Sequence, residues 1–198
     1  MLKYLKIKNN LVHRTAVINW KKIKIGKGNV FGPYVVIGNH PQWPKRKTSG
    51  FIYIGNKNTF NEYCNVHLPT SLTKRTKIGN NNYFMNSSTI DHDCVIENNT
   101  VFSSNVVLGG NIYVMNNAQL GIKAIVHQNQ TIGSYTIIGM GTIVTKKIII
   151  EPGYTYYGKP IRKIKKNLIS LKKNKISNKK LNCEKKRFQN ILNSKKYD

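Results

Sequence analysis

The sequence predicts an all-β solenoid, a parallel β-helix of hexapeptide repeats with a short basic C-terminal helical tail. Three observations predict it. Isoleucine, valine, leucine or phenylalanine recurs every sixth residue at Ile25, Phe31 and Ile37, at Ile54, Phe60 and Val66, and without a break from Ile78 to Ile150. Glycine directly follows nine of these 19 positions. The fourth residue after the apolar one is usually small, as at Cys64, Thr70, Ser88, Cys94, Thr100 and Ala118. A period of six fits neither a 3.6-residue helix nor an alternating strand. It fits a coil in which each hexapeptide forms one side of a triangular turn.

Residues 1–24 form a lead-in, with Val12 and Ile18 in a looser version of the repeat. The coil proper runs from Ile25 to about Tyr157. Its turns begin 25/31/37, 54/60/66, 78/84/90, 96/102/108, 114/120/126 and 132/138/144, with a last short piece at Ile150. The large apolar residue fills the triangle, the small one leaves room beside it, and glycine is expected to permit the change of direction. Asn29, Asn58 and Asn82 occupy equivalent inward positions, where their amides are expected to form a ladder. Two external loops, about 43–53 and 72–77, leave the same side of the triangle. Between them they carry Lys45, Arg46, Lys47, Lys74, Arg75 and Lys77. The predicted domain is therefore 1–160. Past Gly158-Lys159-Pro160, the spacing of Ile161, Ile164, Leu168 and Leu171 predicts one amphipathic helix to about residue 173. The rest of the Lys-rich tail, 161–198, is expected to be a second short helix or disordered.

Lysine and arginine number 33 against seven aspartate and glutamate, a net charge of +26. One reading is a genomic base composition that favours lysine, asparagine and isoleucine codons. The other is an anionic partner: a nucleotide, coenzyme A, an acidic carrier protein, nucleic acid or a membrane surface. The basic loops hold few interleaved aromatics besides Trp43, which disfavours specific nucleic-acid binding. No stretch approaches the roughly 20 apolar residues of a membrane span. Cys64 and Cys94 sit at small inward positions, Cys183 lies in the tail, and there is no Cys-x-x-Cys pair and no signal peptide. The expected setting is the reducing cytoplasm.

The third side of the triangle holds four of the five histidines, His40, His67, His92 and His127, and both loops leave from it. His92 is the sharpest candidate because Asp91 and Asp93 flank it. A carboxylate beside an imidazole fixes its tautomer and stabilises the imidazolium formed on proton uptake. The plainer alternative is a surface histidine in a polar turn. No two histidines share a hexapeptide, so no metal site is expected.

Ser87-Ser88-Thr89-Ile90-Asp91-His92-Asp93-Cys94 resembles the catalytic segment of the UDP-N-acetylglucosamine acyltransferase family of lipid A synthesis. So do Leu108-Gly109-Gly110-Asn111, Ala124-Ile125-Val126-His127-Gln128 and Asn65-Val66-His67. The resemblance covers roughly residues 25–160 and implies a left-handed coil, assembled as a homotrimer with the cleft between subunits. It implies that His92 is the general base, that Asp93 supports it, and that the Gly110 N–H is the oxyanion donor. It places His67, His127 and Gln128 among the substrate contacts; Asn111, beside Gly110, and the loop lysines Lys45 and Lys74 are expected to join them. Thr89 and Asn111 stand where the family has histidines. Met140 matches the position that limits acyl length in the family, where glycine admits a long chain. The other reading of Met140 is packing at a subunit contact.

The expected activity is acyl transfer from a thioester, acyl carrier protein or coenzyme A, to a hydroxyl or amine of a nucleotide-linked amino sugar such as UDP-N-acetylglucosamine. No bound cofactor is expected. An acetyl-CoA-dependent N-acetyltransferase of surface-sugar synthesis is the nearest alternative, since Gly158-Lys159-Pro160 also occurs at the end of such coils. A non-catalytic basic binding module comes next. A metal-dependent lyase on the same fold is more distant.

Overall fold

The computed structural model describes residues 3–42, 50–146 and 148–194. Among these, three sheets of ten, six and seven strands, parallel except at the two ends of the largest, wrap a triangular prism. The first face stacks Ile25, Ile54, Ile78, Ile96, Val114, Ile132 and Ile150 in register. The second face stacks Val12, Phe31, Phe60, Phe84, Phe102, Leu120, Ile138 and Tyr156. The third stacks Ile18, Ile37, Val66, Ile90, Leu108, Val126 and Val144. Each turn thus begins where the sequence places it. The strands are mostly two residues long because only the apolar residue and its predecessor are extended before the chain bends. Along the second face Phe31, Phe60, Phe84 and Phe102 stack with centroids 5.0, 4.7 and 4.9 Å apart, close to the spacing of adjacent strands.

The asparagine ladder forms and is longer than expected. Asn10 Oδ1 accepts from Asn29 Nδ2 at 2.9 Å, and Asn29 Oδ1 from Asn58 Nδ2 at 2.9 Å. Asn58 Oδ1 accepts from Asn82 N at 2.9 Å, and Asn82 Oδ1 ends the run on the Thr100 hydroxyl at 2.7 Å. All five residues are buried, so each amide depends on its neighbours in the adjacent turns for hydrogen bonds.

Glycine does not turn the chain as expected. At eight of the nine glycines the left-handed backbone falls two residues later, at Gly28, Tyr34, Lys57, Asn81, Asn111, Lys123, Tyr135 and Gly141, and only Gly38 of the nine adopts it itself. The glycines instead admit the neighbouring turn. A Cβ on Gly26, Gly55 or Gly79 would stand 2.3, 2.4 or 2.6 Å from Oδ1 of Asn56, Asn80 or Asn98. Those asparagines form a second, outer ladder: Asn56 bonds to Asn80, Asn80 to Asn98 and Asn98 to Asn116.

Both ends of the second face close with an antiparallel strand. Tyr4–Ile7 pairs with Asn10–His13 at one end, and Arg162–Lys166 with Tyr154–Tyr157 at the other. The second pairing corrects the expected helix over 161–173. The open edge beside Tyr154–Tyr157 offers backbone hydrogen bonds that outweigh helical spacing, and a lysine-rich outer strand discourages further edge pairing. Helix starts only at α1, Leu168–Lys173, where the Asn167 side chain accepts from Ser170 N. A longer helix, α2, covers Asn178–Ser194. It is not a loose tail: Leu181 and Phe188 are buried, Ser134 donates to Glu184, and Arg187 is ion-paired with Glu97. The second excursion is also displaced, since Thr76–Ile78 is already a strand of the first face. Residues 43–49 of the first lie outside the described residues, and Lys45 with them.

Candidate active site

The edge between the third and first faces holds the polar residues singled out above. The strand Thr89–Ile90 ends at Asp91, and the chain turns through His92 to Asp93, whose φ is 61°. This bend turns the Asp93 carboxylate back onto its neighbour: Asp93 Oδ2 lies 2.8 Å from His92 Nδ1. Asp93 is further held by Thr70, whose N–H donates to Oδ1 at 3.0 Å and whose hydroxyl donates to Oδ2 at 2.7 Å. The Asp93 N–H donates to the Thr76 hydroxyl at 3.1 Å. Burial alone would raise the Asp93 carboxyl, but the hydrogen bonds from His92 and Thr70 hold it below the ordinary carboxylate value. An ionised carboxylate can only accept, so Nδ1 carries the proton and Nε2 is the basic nitrogen.

Gly110 lies one turn along the same edge, directly under the imidazole. A Cβ there would stand 2.2 Å from His92 Cε1 and 2.5 Å from Nε2. Any larger residue would displace the ring. Among the described residues the Gly110 N–H has no backbone acceptor, while its carbonyl accepts from Asn129 N at 3.0 Å. The structure thus brings His92, Asp93 and Gly110 together. They line a cavity of about 180 Å³ with Thr70, Lys74, Asn111, Gln128 and Asn129. Asn111 is oriented by its amide, which donates to Asn129 Oδ1 at 2.9 Å.

The other candidates are placed differently. His127 is exposed, its Nδ1 3.0 Å from the Gln128 carbonyl, and it does not line this cavity. His67 is buried with Nδ1 3.1 Å from Asp91 Oδ1. Burial raises the Asp91 carboxyl, but the bonds from His67 and from the His92 N–H prevail and hold it below its ordinary value. Met140 is exposed on the edge between the second and third faces, away from the His92 cavity of its own chain. Sequence reasoning missed Thr70 and Thr76. Thr70 reads as one more small inward residue, and only the fold of the second excursion turns its hydroxyl to Asp93. It also missed the tie between His67 and Asp91, whose only signal is that turns starting at 66 and 90 are adjacent.

Cys64 and Cys94 are buried, their thiols donating to the carbonyls of Met85 at 3.1 Å and Gly109 at 3.2 Å. Burial pushes the Cys64 thiol up to about 12. Among the described residues no three His, Cys, Asp or Glu side chains gather as a metal site, and no helix is long and apolar enough to cross a membrane.

The family model for the bacterial transferase hexapeptide (six repeats) matches residues 75–110, which contain the His92 segment and Gly110. A comparison with curated protein sequences gives no match. Among solved structures, the UDP-N-acetylglucosamine acyltransferase of Bacteroides fragilis is 30% identical, with a TM-score of 0.81 over 93% of this chain and 69% of that one. The Arabidopsis UDP-N-acetylglucosamine acyltransferase is 24% identical, with a TM-score of 0.72 over 88% of this chain and 78% of that one. The acetyltransferase domain of PglB from Neisseria gonorrhoeae, in complex with acetyl coenzyme A, shares the fold at 20% identity and a TM-score of 0.50, over 79% of this chain and 58% of that one. The Bacteroides likeness extends through nearly the whole chain, and the register of six is unbroken from Ile78 to Ile150: the protein belongs to the left-handed β-helix, hexapeptide-repeat acyltransferases, in the family of the UDP-N-acetylglucosamine acyltransferases.

Proposed function

We propose that the protein transfers an acyl group from a thioester, on acyl carrier protein or coenzyme A, to a hydroxyl or amine of a nucleotide-linked amino sugar such as UDP-N-acetylglucosamine. The observation that carries this reading is the imidazole of His92 lying across Gly110 with its Nδ1 on Asp93. His92 Nε2 takes the proton from the acceptor as its oxygen or nitrogen attacks the thioester carbonyl. The Gly110 N–H stabilises the oxyanion of the tetrahedral intermediate. The C–S bond then breaks, and the imidazolium returns the proton to the departing thiolate. Asp93 remains a carboxylate throughout and stabilises the charged ring. Lys74, Asn111 and Gln128, at the cavity wall, bind the polar parts of the substrates, with His127 outside it and Lys45 a further candidate contact from the first loop.

Met140 and His92 lie on different edges of the prism, so one chain does not bring them together. Exposed apolar residues continue from Met140 along this edge and the third face: Ile122 and Ile125 in the next turn, Val107 one turn further, and near the other end of the coil the stacked pair Tyr34 and Tyr63 with centroids 5.2 Å apart. A homotrimer that sets this edge of one copy against the His92 edge of the next covers them and completes the cleft. Met140 then bounds the acyl chain and favours short ones. The free, buried thiols fit a cytoplasmic setting.

Acetyl-CoA-dependent N-acetylation is the second reading, supported by the shared fold with an acetyl-CoA-bound domain. One experiment separates them: incubation with UDP-N-acetylglucosamine and its 3-amino analogue, with acyl-carrier and coenzyme A thioesters, and products read by mass. Absence of acyl transfer to any nucleotide sugar rejects the proposal.

A further inference from the structure

We infer that residues 67–70 form a two-point brace on the general base, and that His67 and Thr70 are positioning residues. The inference deepens the proposed function and rests on His92 as the base. His92 is gripped twice. Its backbone N–H donates to Asp91 Oδ1 at 2.8 Å, and its Nδ1 lies 2.8 Å from Asp93 Oδ2. Each carboxylate is gripped in turn by the neighbouring turn of the coil. Asp91 Oδ1 meets His67 Nδ1 at 3.1 Å, and Asp93 takes both the hydroxyl and the N–H of Thr70. The order of the contacts matches along the two segments, 67 with 91 and 70 with 93.

The strand Asn65–His67 and the strand Thr89–Ile90 are paired in register, so the inner ends of both segments are already fixed. Beyond them the regular ladder gives way to the excursion, and the side-chain bonds replace it. Without the Thr70 hydroxyl, Asp93 loses the donor on Oδ2, the oxygen that meets His92 Nδ1, and keeps from residue 70 only the backbone N–H on Oδ1, so the ring it orients can swing. Without His67, Asp91 loses the partner that aims it at the His92 N–H. His67 is buried and does not line the cavity, which suits a brace better than a contact to sugar.

The test combines kinetics with a readout that does not depend on substrate identity. The ¹⁵N resonances of the His92 ring report its tautomer. In the native protein they are expected to show one tautomer, protonated on Nδ1. Thr70→Val is expected to mix the tautomers and to lower kcat about 10-fold to 10²-fold, with KM for the nucleotide sugar within about twofold. Thr70→Ser restores both. His67→Ala is expected to lower kcat in the same way, and His67→Gln, whose amide can donate to Asp91, to recover part of it. A folded Thr70→Val protein with an unchanged His92 tautomer overturns the brace. So does a His67→Ala protein in which KM for the sugar rises and kcat does not fall, because that is the signature of a substrate contact. If no nucleotide sugar is acylated, the kinetic arm fails with the proposed function, and the ring resonances alone decide the brace.

Discussion

The imidazole of His92 lies so close above Gly110 that a methyl group there would stand 2.2 Å from its Cε1. In the proposed mechanism, one contact between adjacent turns therefore sets both the base and the oxyanion donor. Gly110→Ala is expected to lower turnover by about 10²-fold or more by moving the ring out of line. The circular dichroism spectrum should be unchanged, because Gly110 is not among the residues with positive φ. Normal turnover in a folded Gly110→Ala protein would show that the ring position does not matter.

His92→Ala is expected to cut kcat by about 10²-fold or more, and Asp93→Asn by less, since the imidazole remains but loses its charged partner. Steady-state rates, with whichever donor gives the most product in the incubation proposed above, provide the check. A His92→Ala variant with near-native rates removes the general-base assignment.

Asp91 and Asp93 both have carboxyl groups held below the ordinary value of 3.8 in the folded chain. A depressed folded value contributes stability that is fully present above 3.8 and is lost as pH falls through the lower, folded value. Thermal unfolding should therefore show a loss of Tm below about pH 4 that is smaller in the Asp91→Asn, Asp93→Asn double variant. Parallel Tm profiles for the two proteins between pH 5 and pH 3 would contradict this.

Helix α2 is expected to stabilise the coil through packing more than through its charge. Phe188 is buried, and Phe188→Ala should cost about 3 kcal/mol, a fall in Tm of about 6–12 °C for a chain of this size. Arg187 is substantially exposed, and Arg187→Ala should cost about 1 kcal/mol or less. Differential scanning calorimetry of the two variants would show the opposite order if the helix were held mainly by its ion pair.

Met140→Gly is expected to raise the ratio of kcat/KM for a fourteen-carbon donor over a short one, because glycine leaves room where each excess methylene now meets methionine. The rate with the short donor should change little. An unchanged ratio assigns Met140 to packing between subunits.

The sequence by itself determined the coil. One side chain in six must fill a triangular interior, and that demand is local, repeated and independent of anything far along the chain. It placed the turn starts from Ile25 to Ile150, Asn29, Asn58 and Asn82 of the inner ladder, and the edge that carries His92. The ends and the site's supports were settled only by tertiary structure. Ile161, Ile164 and Leu168 have helical spacing, yet Arg162–Lys166 pairs as a strand because an open sheet edge lies beside it. Glycine after the apolar residue reads as a turn former, but the asparagine that crowds it comes from another turn. Thr70 looks like filler until the excursion brings its hydroxyl to Asp93, and His67 pairs with Asp91, 24 residues away. A periodic pattern specifies contacts that repeat; a hydrogen bond made once, between an excursion and the coil, has no period and becomes visible only when both segments are in place.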